Sequence, residues 1–216
     1  MISKRLNRIA DLVLRDKIVF DVGSDHALLP CYLIKHNIAK KVYAGDNKVG
    51  PLNSAISNIK AYGYEGKIYP ILSNGLEKAG DDVEVVIIAG MGYYTVESIL
   101  NNANLNKYEQ IIVQINKNSH LLRKYISEHN YTILDEDVVY DEFYYEIVVF
   151  NTNYHESYTN KEIEFGPVLL KKRSEIFIEY MNYRAKQIKK IIEQAKLEDN
   201  PKLIELSKIE EIIKDA

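Results

Sequence analysis

What this 216-residue sequence lacks narrows it first. It has a single cysteine, Cys31, so no internal disulfide can form, and beside Pro30 in an apolar stretch that thiol reads as core packing. No uninterrupted apolar run approaches the roughly 18 residues that suggest a membrane span. The start, 1–8, is charged and then amphipathic, without the apolar centre and small-residue cleavage site of a signal peptide, so a cytoplasmic location is expected. His26, His36, His120, His129 and His155 are scattered without metal-ligand spacing, and no metal is expected. A large charge excess is missing too: 28 Lys and Arg against 31 Asp and Glu leave a formal charge of -3, which taken alone argues mildly against nucleic acid.

Charge of one sign is also missing locally. Between 125 and 160 there is no Lys or Arg, only Glu128, Asp135, Glu136, Asp137, Asp141, Glu142, Glu146 and Glu156. The first 17 residues hold Lys4, Arg5, Arg8, Arg15 and Lys17 against Asp11 and Asp16, and Lys171, Lys172 and Arg173 open a second basic tract. Local basic faces can hold phosphates even when the total is near zero; the plainer alternative is solvated surface.

Periodicity supplies the architecture. Ser3 as N-cap and Leu6, Ile9, Ala10 and Val13 at helical spacing predict an opening amphipathic helix with its arginines outward. Strands at 18–22, 41–45, 68–72, 85–89 and 111–113 follow, with helices expected at 27–36, from Pro51 to Gly63, through Val96 and Leu100, and through Leu121 to Ile126. The continuous apolar run 85–89 suits the buried centre of a parallel sheet. Two β-rich segments, 131–140 and 143–150, join at Asp141-Glu142. This order resembles the class I methyltransferase topology: a Rossmann-like α/β domain whose seven-stranded, mostly parallel sheet takes an antiparallel final strand. After a polar linker at 151–160 the pattern turns helical from about Phe165. Leu170, Phe177, Arg184 and Ile191 fall seven apart, with Met181, Ile188 and Ala195 in the companion seam. Glu198-Asp199-Asn200-Pro201 breaks the helix before a second stripe of Leu206, Ile209 and Ile213. The expected division is 1–160 and 161–216, the latter an antiparallel coiled-coil helical hairpin.

The loop Asp21-Val22-Gly23-Ser24-Asp25-His26 is the main candidate site, since ligands bind where a parallel strand hands over to a helix. A dinucleotide loop needs G-x-G-x-x-G, and here Gly23 stands alone between Asp21 and Asp25. Carboxylates repel a pyrophosphate and welcome a cation; S-adenosylmethionine carries an ammonium and a sulfonium and no phosphate. Asp46, followed by Asn47, ends the second strand, where a carboxylate can accept ribose hydroxyls. Asn74-Gly75 is placed to meet an adenine edge, or is only a tight turn. Ala89-Gly90-Met91-Gly92 ends the fourth strand and leaves room for a flat substrate, or is only a glycine-rich turn that starts a helix. Tyr93, Tyr94 and Tyr145 could stack on a base, although with 17 tyrosines any one is more simply structural.

Asp21-Val22-Gly23-Ser24-Asp25-His26-Ala27 with Leu29-Pro30, Gly45-Asp46, Asn74-Gly75-Leu76, Ile88-Ala89-Gly90-Met91-Gly92, Gln114 to Asn116, Tyr145-Glu146 and Gly166-Pro167 together resemble the TrmK family. These are bacterial tRNA (adenine-22-N1)-methyltransferases with a class I catalytic domain and a C-terminal coiled coil. Three positions depart from its pattern: Asn74 stands where Asp is usual, Tyr93 where a further glycine often follows, and Ile115 where proline is usual.

The resemblance implies S-adenosyl-L-methionine as methyl donor and the tRNA D arm as partner, with no membrane and a monomer as the expected state. Asp21, Gly23, Ser24, Asp46, Asn47, Asn74, Gly75, Ala89, Gly90 and Met91 would hold the donor. Asp25, His26 and Asn116 would lie nearest the methyl transfer, Gly92, Tyr93 and Tyr145 would meet the base, and Arg5, Arg8, Lys171 and Lys172 would grip the RNA backbone. Two other readings stay open on the residues themselves: a methyltransferase for another RNA position or a small molecule, and a non-catalytic tRNA-binding protein on the same scaffold.

Overall fold

Ser3 opens the first helix as a polar N-cap does, its hydroxyl accepting the Leu6 backbone N–H at 3.3 Å. That helix, α1 (Lys4–Leu12), turns Ile9 and Ala10 into the core. This computed structural model describes residues 2–155, 157–195 and 202–214. The chain then runs through β1 (Lys17–Val22), α2 (Leu28–Lys35), β2 (Ala39–Asp46), α3 (Val49–Ala61) and β3 (Ile68–Leu72). A loop leads to β4 (Val85–Met91), followed by α4 (Tyr93–Asn101), β5 (Gln110–Ile115) and α5 (Ser119–Glu128). A hairpin of β6 (Thr132–Asp141) and β7 (Phe143–Asn151) completes a seven-stranded sheet of order β3-β2-β1-β4-β5-β7-β6. β1 to β5 are parallel, and β7 runs antiparallel between β5 and β6, as the element order predicts.

The sheet is buried on both faces, which is why its central strands are unbroken apolar runs. Val19, Ile87 and Ile112 pack with α1, α2 and α3 on one side, while Phe20, Val86 and Val113 pack with α4 and α5 on the other. Cys31 is buried, and burial pushes its thiol up to about 11, consistent with inert packing. β4 does not stop at Ala89: it continues to Met91 past a register shift at Gly90, whose φ of +80° suits glycine. Among the described residues no helix is long and apolar enough to cross a membrane.

Beyond the sheet the helical pattern divides more finely than its spacing predicts. Thr159 and Glu162 form a reciprocal capping box that starts α6 (Asn160–Phe165) inside the expected linker. Gly166, at φ +92°, ends it, Pro167 starts α7 (Pro167–Lys172), and Arg173, at φ +47°, stops that in turn. Leu170 therefore belongs to α7, whereas α8 (Glu175–Ala195) carries Phe177, Met181, Ala185 and Ile188 against Ile209 and Ile212 of α9 (Lys202–Lys214). Ile191 is 46% exposed, and Arg184 bonds Glu205 across the α8–α9 pair at 2.9 Å. The break expected at Glu198-Asp199-Asn200-Pro201 lies outside the described residues, as do Glu156 and the side chain of Ala195.

One buried network joins the sheet to these helices. Arg123 of α5 is fully enclosed and donates to Glu136 of β6 and to Glu146 of β7, each at 2.5 Å. Glu136 also accepts the Val168 backbone N–H at 2.9 Å, and Glu146 accepts the Tyr180 hydroxyl at 3.0 Å. Burial opposes the Glu146 carboxylate, but the Arg123 and Arg184 charges outweigh it and hold its pKa below the usual range. A Cβ added at Gly166 would lie 2.7 Å from Glu136 Oε2 and 2.9 Å from Arg123 Nη2, so only glycine lets α7 approach this closely. Three further hairpin carboxylates are engaged: Asp137 pairs with Arg8, Asp135 with Lys172, and Asp141 accepts the Arg5 backbone N–H at 3.1 Å. The acidic segment is thus clamped by basic residues from both ends of the chain. Arg123→Leu leaves two carboxylates buried without their cation and should cost about 3–5 kcal/mol in urea unfolding, against under about 1 kcal/mol for the exposed partner change Lys172→Ala.

Candidate functional site

At the carboxyl ends of β1 and β4 the chain leaves in opposite directions, to α2 on one face and α4 on the other, so a crevice opens there. Gly23, at φ +71°, turns the chain out of β1, and a Cβ on it would lie 2.4 Å from Met91 Cε. Its N–H and that of Ser24 donate to the Gly45 carbonyl at 2.8 and 2.9 Å, which moors the loop to β2. Asp25 and Ala27 also take left-handed backbone, φ +47° and +53°, a strained local shape held by that mooring.

Two cavities meet at Gly23. One, of about 400 Å³, is lined by Asn47, Asn74, Gly75 and Met91 and, from α4, by Tyr94, Thr95, Ser98 and Ile99. The other, of about 310 Å³, is lined by Asp21, Ser24, Asp25, His26 and Ala89 together with Arg5. Asp46 is buried between the loops: one carboxylate oxygen accepts the Asp25 N–H at 3.3 Å and the other the Lys48 N–H at 2.9 Å. Each oxygen retains a lone pair for a further donor. The Asn74 amide donates to Glu77 at 2.8 Å, so its orientation is set by its own turn.

Asp21 is the electrostatic centre. Burial raises its carboxyl to about 7, the neighbouring Ser24 hydroxyl works against the rise, and the Asp46 charge adds to it. A carboxyl whose charge is made costly by burial, set under a glycine turn, offers a place to a cation and a poor one to a phosphate. His26 Nε2 lies 3.6 Å from Asp25 Oδ2, and both side chains are more than half exposed at the cavity mouth.

The fourth-strand loop is tied to β5. Gln114, fully buried, accepts the Gly90 N–H at 3.1 Å, while Asn116 donates to the Gly90 carbonyl at 3.0 Å and receives a 3.5 Å contact from the Gln114 amide. Gly92 is the N-cap of α4 and has open space about it. Tyr93 turns away from the crevice: it packs on the core and donates to Glu97 at 2.6 Å, with burial raising its phenol.

The basic residues separate. Arg5 does not face outward; its guanidinium bonds Gln114 and lies 5.4 Å from the centre of the Tyr145 ring, bringing α1 into the site. Arg8, Lys171 and Lys172 line neither cavity, and Arg8 and Lys172 are engaged with Asp137 and Asp135. Sequence reasoning missed the inward role of Arg5 and the bridging role of Gln114. The buried Gln next to a strand end was the available signal, because a primary amide placed there must satisfy backbone groups. The α4 lining at Thr95, Ser98 and Ile99 had no signal beyond helical spacing.

With this geometry in hand, comparison with known proteins is specific. Residues 19–215 match the family model TrmK, tRNA (adenine(22)-N(1))-methyltransferase. The chain is 29% identical over its full length, and over 96% of that protein, to the tRNA (adenine(22)-N(1))-methyltransferase of Bacillus subtilis (strain 168). It is similar to the structure of M. capricolum TrmK in complex with S-adenosyl-homocysteine: 34% identity, TM-score 0.80, covering 99% of this chain and 95% of that one. A Streptococcus pneumoniae protein in complex with S-adenosyl-L-methionine aligns with 32% identity and TM-score 0.89 over 99% of this chain and 100% of its own.

The raised Asp21 carboxyl binds its proton more tightly in the folded than in the unfolded chain. Its contribution to stability is therefore greatest below about pH 4 and is lost as pH rises towards about 7. Asp21→Asn should flatten this fall, on the order of 2–4 kcal/mol between pH 4 and 8, in urea titrations compared at the two pH values.

Proposed function

Because the chain belongs to the TrmK family, we infer that it transfers a methyl group from S-adenosyl-L-methionine to N1 of adenine-22 in tRNA. The observation that carries this from the side of the molecule is the buried Asp21 carboxyl beneath Gly23, flanked by Asp25 and Asp46 where the two cavities meet. Such a site suits a cationic methyl donor, and the same carboxylates disfavour a dinucleotide pyrophosphate. Asp21, Gly23 and Ser24 hold the donor's amino acid end, and Asp46, with Asn47, receives ribose hydroxyls on its remaining lone pairs. Asn74 and Gly75 border the adenine, and Ala89, Gly90 and Met91 line the floor.

When bound, the donor supplies a methyl group on a sulfonium, and neutral adenine already carries a lone pair at N1, so transfer depends on alignment more than on a base. Asn116 is held by Gly90 and Gln114, and its oxygen retains capacity to accept from the adenine amino group. Asp25 offers a carboxylate where the adenine acquires positive charge, and His26 stands beside it, 3.6 Å away at the cavity mouth. Gly92 leaves space for the flat base and Tyr145 a ring beside it, while Tyr93 shapes the wall from behind. N1 lies on the pairing edge, so the base must leave its stack, which places the contact in the D arm as an opened or flipped nucleotide. Arg8, Lys171 and Lys172 meet the RNA backbone from the two helical tracts, Arg8 and Lys172 exchanging their Asp137 and Asp135 partners for phosphate, while Arg5 acts from inside the crevice. The working unit is a cytoplasmic monomer with its catalytic part at 1–160 and the helical appendage at 161–216.

Incubation with S-adenosyl-L-methionine and unmodified tRNA should produce one reverse-transcription stop, at adenine-22; a stop elsewhere, or none, refutes the reading. Asp25→Ala and Asn116→Ala should each lower kcat about 10²-fold or more at saturating tRNA and donor, and unchanged rates would remove those assignments. Donor affinity should rise with pH through about 7, with proton release in calorimetry, because a cation beside Asp21 favours its ionised form; Asp21→Asn should abolish both effects.

A further inference from the structure

The tip of the β6–β7 hairpin carries a phenylalanine whose ring lies largely in solvent. Phe143 is 65% exposed, next to Glu142 at φ +62° in the turn. A single exposed apolar side chain is ordinary, but Phe143 is the outer end of a continuous line of contacts. Its ring meets Tyr145 edge to face at 6.5 Å, two residues along the same strand and on the same face. Tyr145 lies under the Arg5 guanidinium, Arg5 bonds Gln114, and Gln114 accepts the Gly90 N–H. Arg5 lines the cavity that also holds Asp25 and His26. The line thus runs from the methyl-transfer cavity to the hairpin tip. On the opposite face of the same strand, Tyr144 is engaged by Tyr140 of β6 and by Tyr180 and Tyr183 of α8, whereas the ring of Phe143, more exposed than any of these, meets only Tyr145 among the described aromatic rings.

We propose that Phe143, backed by Tyr145 and Arg5, is a stacking platform for an unpaired tRNA base next to the methylated adenine, a positioning role that rests on the tRNA reading above. When the target base leaves its stack, a neighbouring base loses a partner, and an exposed aromatic ring replaces it whatever the sequence, because every base has a π-face. A guanidinium on the inner side of the same ring pair suits the phosphate-rich side of that nucleotide. The hairpin carboxylates do not oppose this approach in full, since Asp137 is paired with Arg8 and Asp141 is bound to the α1 backbone.

The chain has no tryptophan, so Phe143→Trp installs a single reporter at the platform. Its emission should be quenched by unmodified tRNA in the absence of methyl donor. Phe143→Ala should raise KM for tRNA about tenfold, with kcat and donor affinity within about twofold, and Phe143→Tyr should restore KM. An unquenched reporter at saturating tRNA together with an unchanged KM for Phe143→Ala overturns the proposal. So does a fall in sedimentation coefficient for Phe143→Ala with KM unchanged, which would assign the ring to a second copy of the chain. Failure of the unaltered protein to form N1-methyladenine in the parallel control would remove the tRNA reading itself, and that control tells the two failures apart.

Discussion

A guanidinium and two carboxylates buried together are each untenable alone, and this mutual dependence organises the molecule. Arg123 can lie in the interior only because Glu136 and Glu146 reach it from adjacent strands, and they can be there only because Arg123, two backbone N–H groups and the Tyr180 hydroxyl complete their shells. The network therefore fixes α5, the β6–β7 hairpin, α7 and α8 with respect to one another. Gly166 is part of the same requirement, since any side chain there would intrude on the charges.

Placing the hairpin in turn places the first helix. Asp137 and Asp141 sit on β6 beyond the buried pair, and they receive Arg8 and the Arg5 backbone. α1 is drawn across the sheet so that the Arg5 side chain passes inward to Gln114 and over Tyr145. A basic helix that looks in sequence like an outward grip on phosphates contributes one arginine to the crevice instead. Arg8 and Lys172, one from each basic tract, pair with carboxylates of the segment that has no Lys or Arg, so part of the polarity along the chain is neutralised when it folds.

The crevice has a preference that follows from desolvation. Asp21 is buried at the end of β1 beside another carboxylate, so its charge is costly until a cation arrives. A loop with a single glycine at its turn, moored to the Gly45 carbonyl, leaves no nest of free N–H groups for a pyrophosphate. The ligand class is thus set by charge and backbone together, and family membership supplies the substrate.

Much of this was legible in the linear chain. Apolar runs bounded by turn residues marked the strands, the return of two β segments after five alternations marked the antiparallel closure, and the spacing of Asp21, Gly23 and Asp46 marked the crevice, because each depends on local chemistry or on period. The helical tail was legible as helical but not in its divisions: Gly166 and Arg173 interrupt it, and Leu170 keeps the seven-residue spacing and packs on the same cluster from a separate helix, α7. Which charges would meet was not legible at all. Arg123 and Glu136 are 13 residues apart, Arg5 and Gln114 are 109 apart, and no period records that they share one interior. The sequence by itself determined the sheet, its closure and the cationic taste of the first loop, since backbone preference and hydrophobic burial act over short spans. Only the tertiary structure decided which carboxylates are neutralised, which arginine enters the site and which aromatic rings reach solvent, since those outcomes depend on distances the chain acquires when it folds.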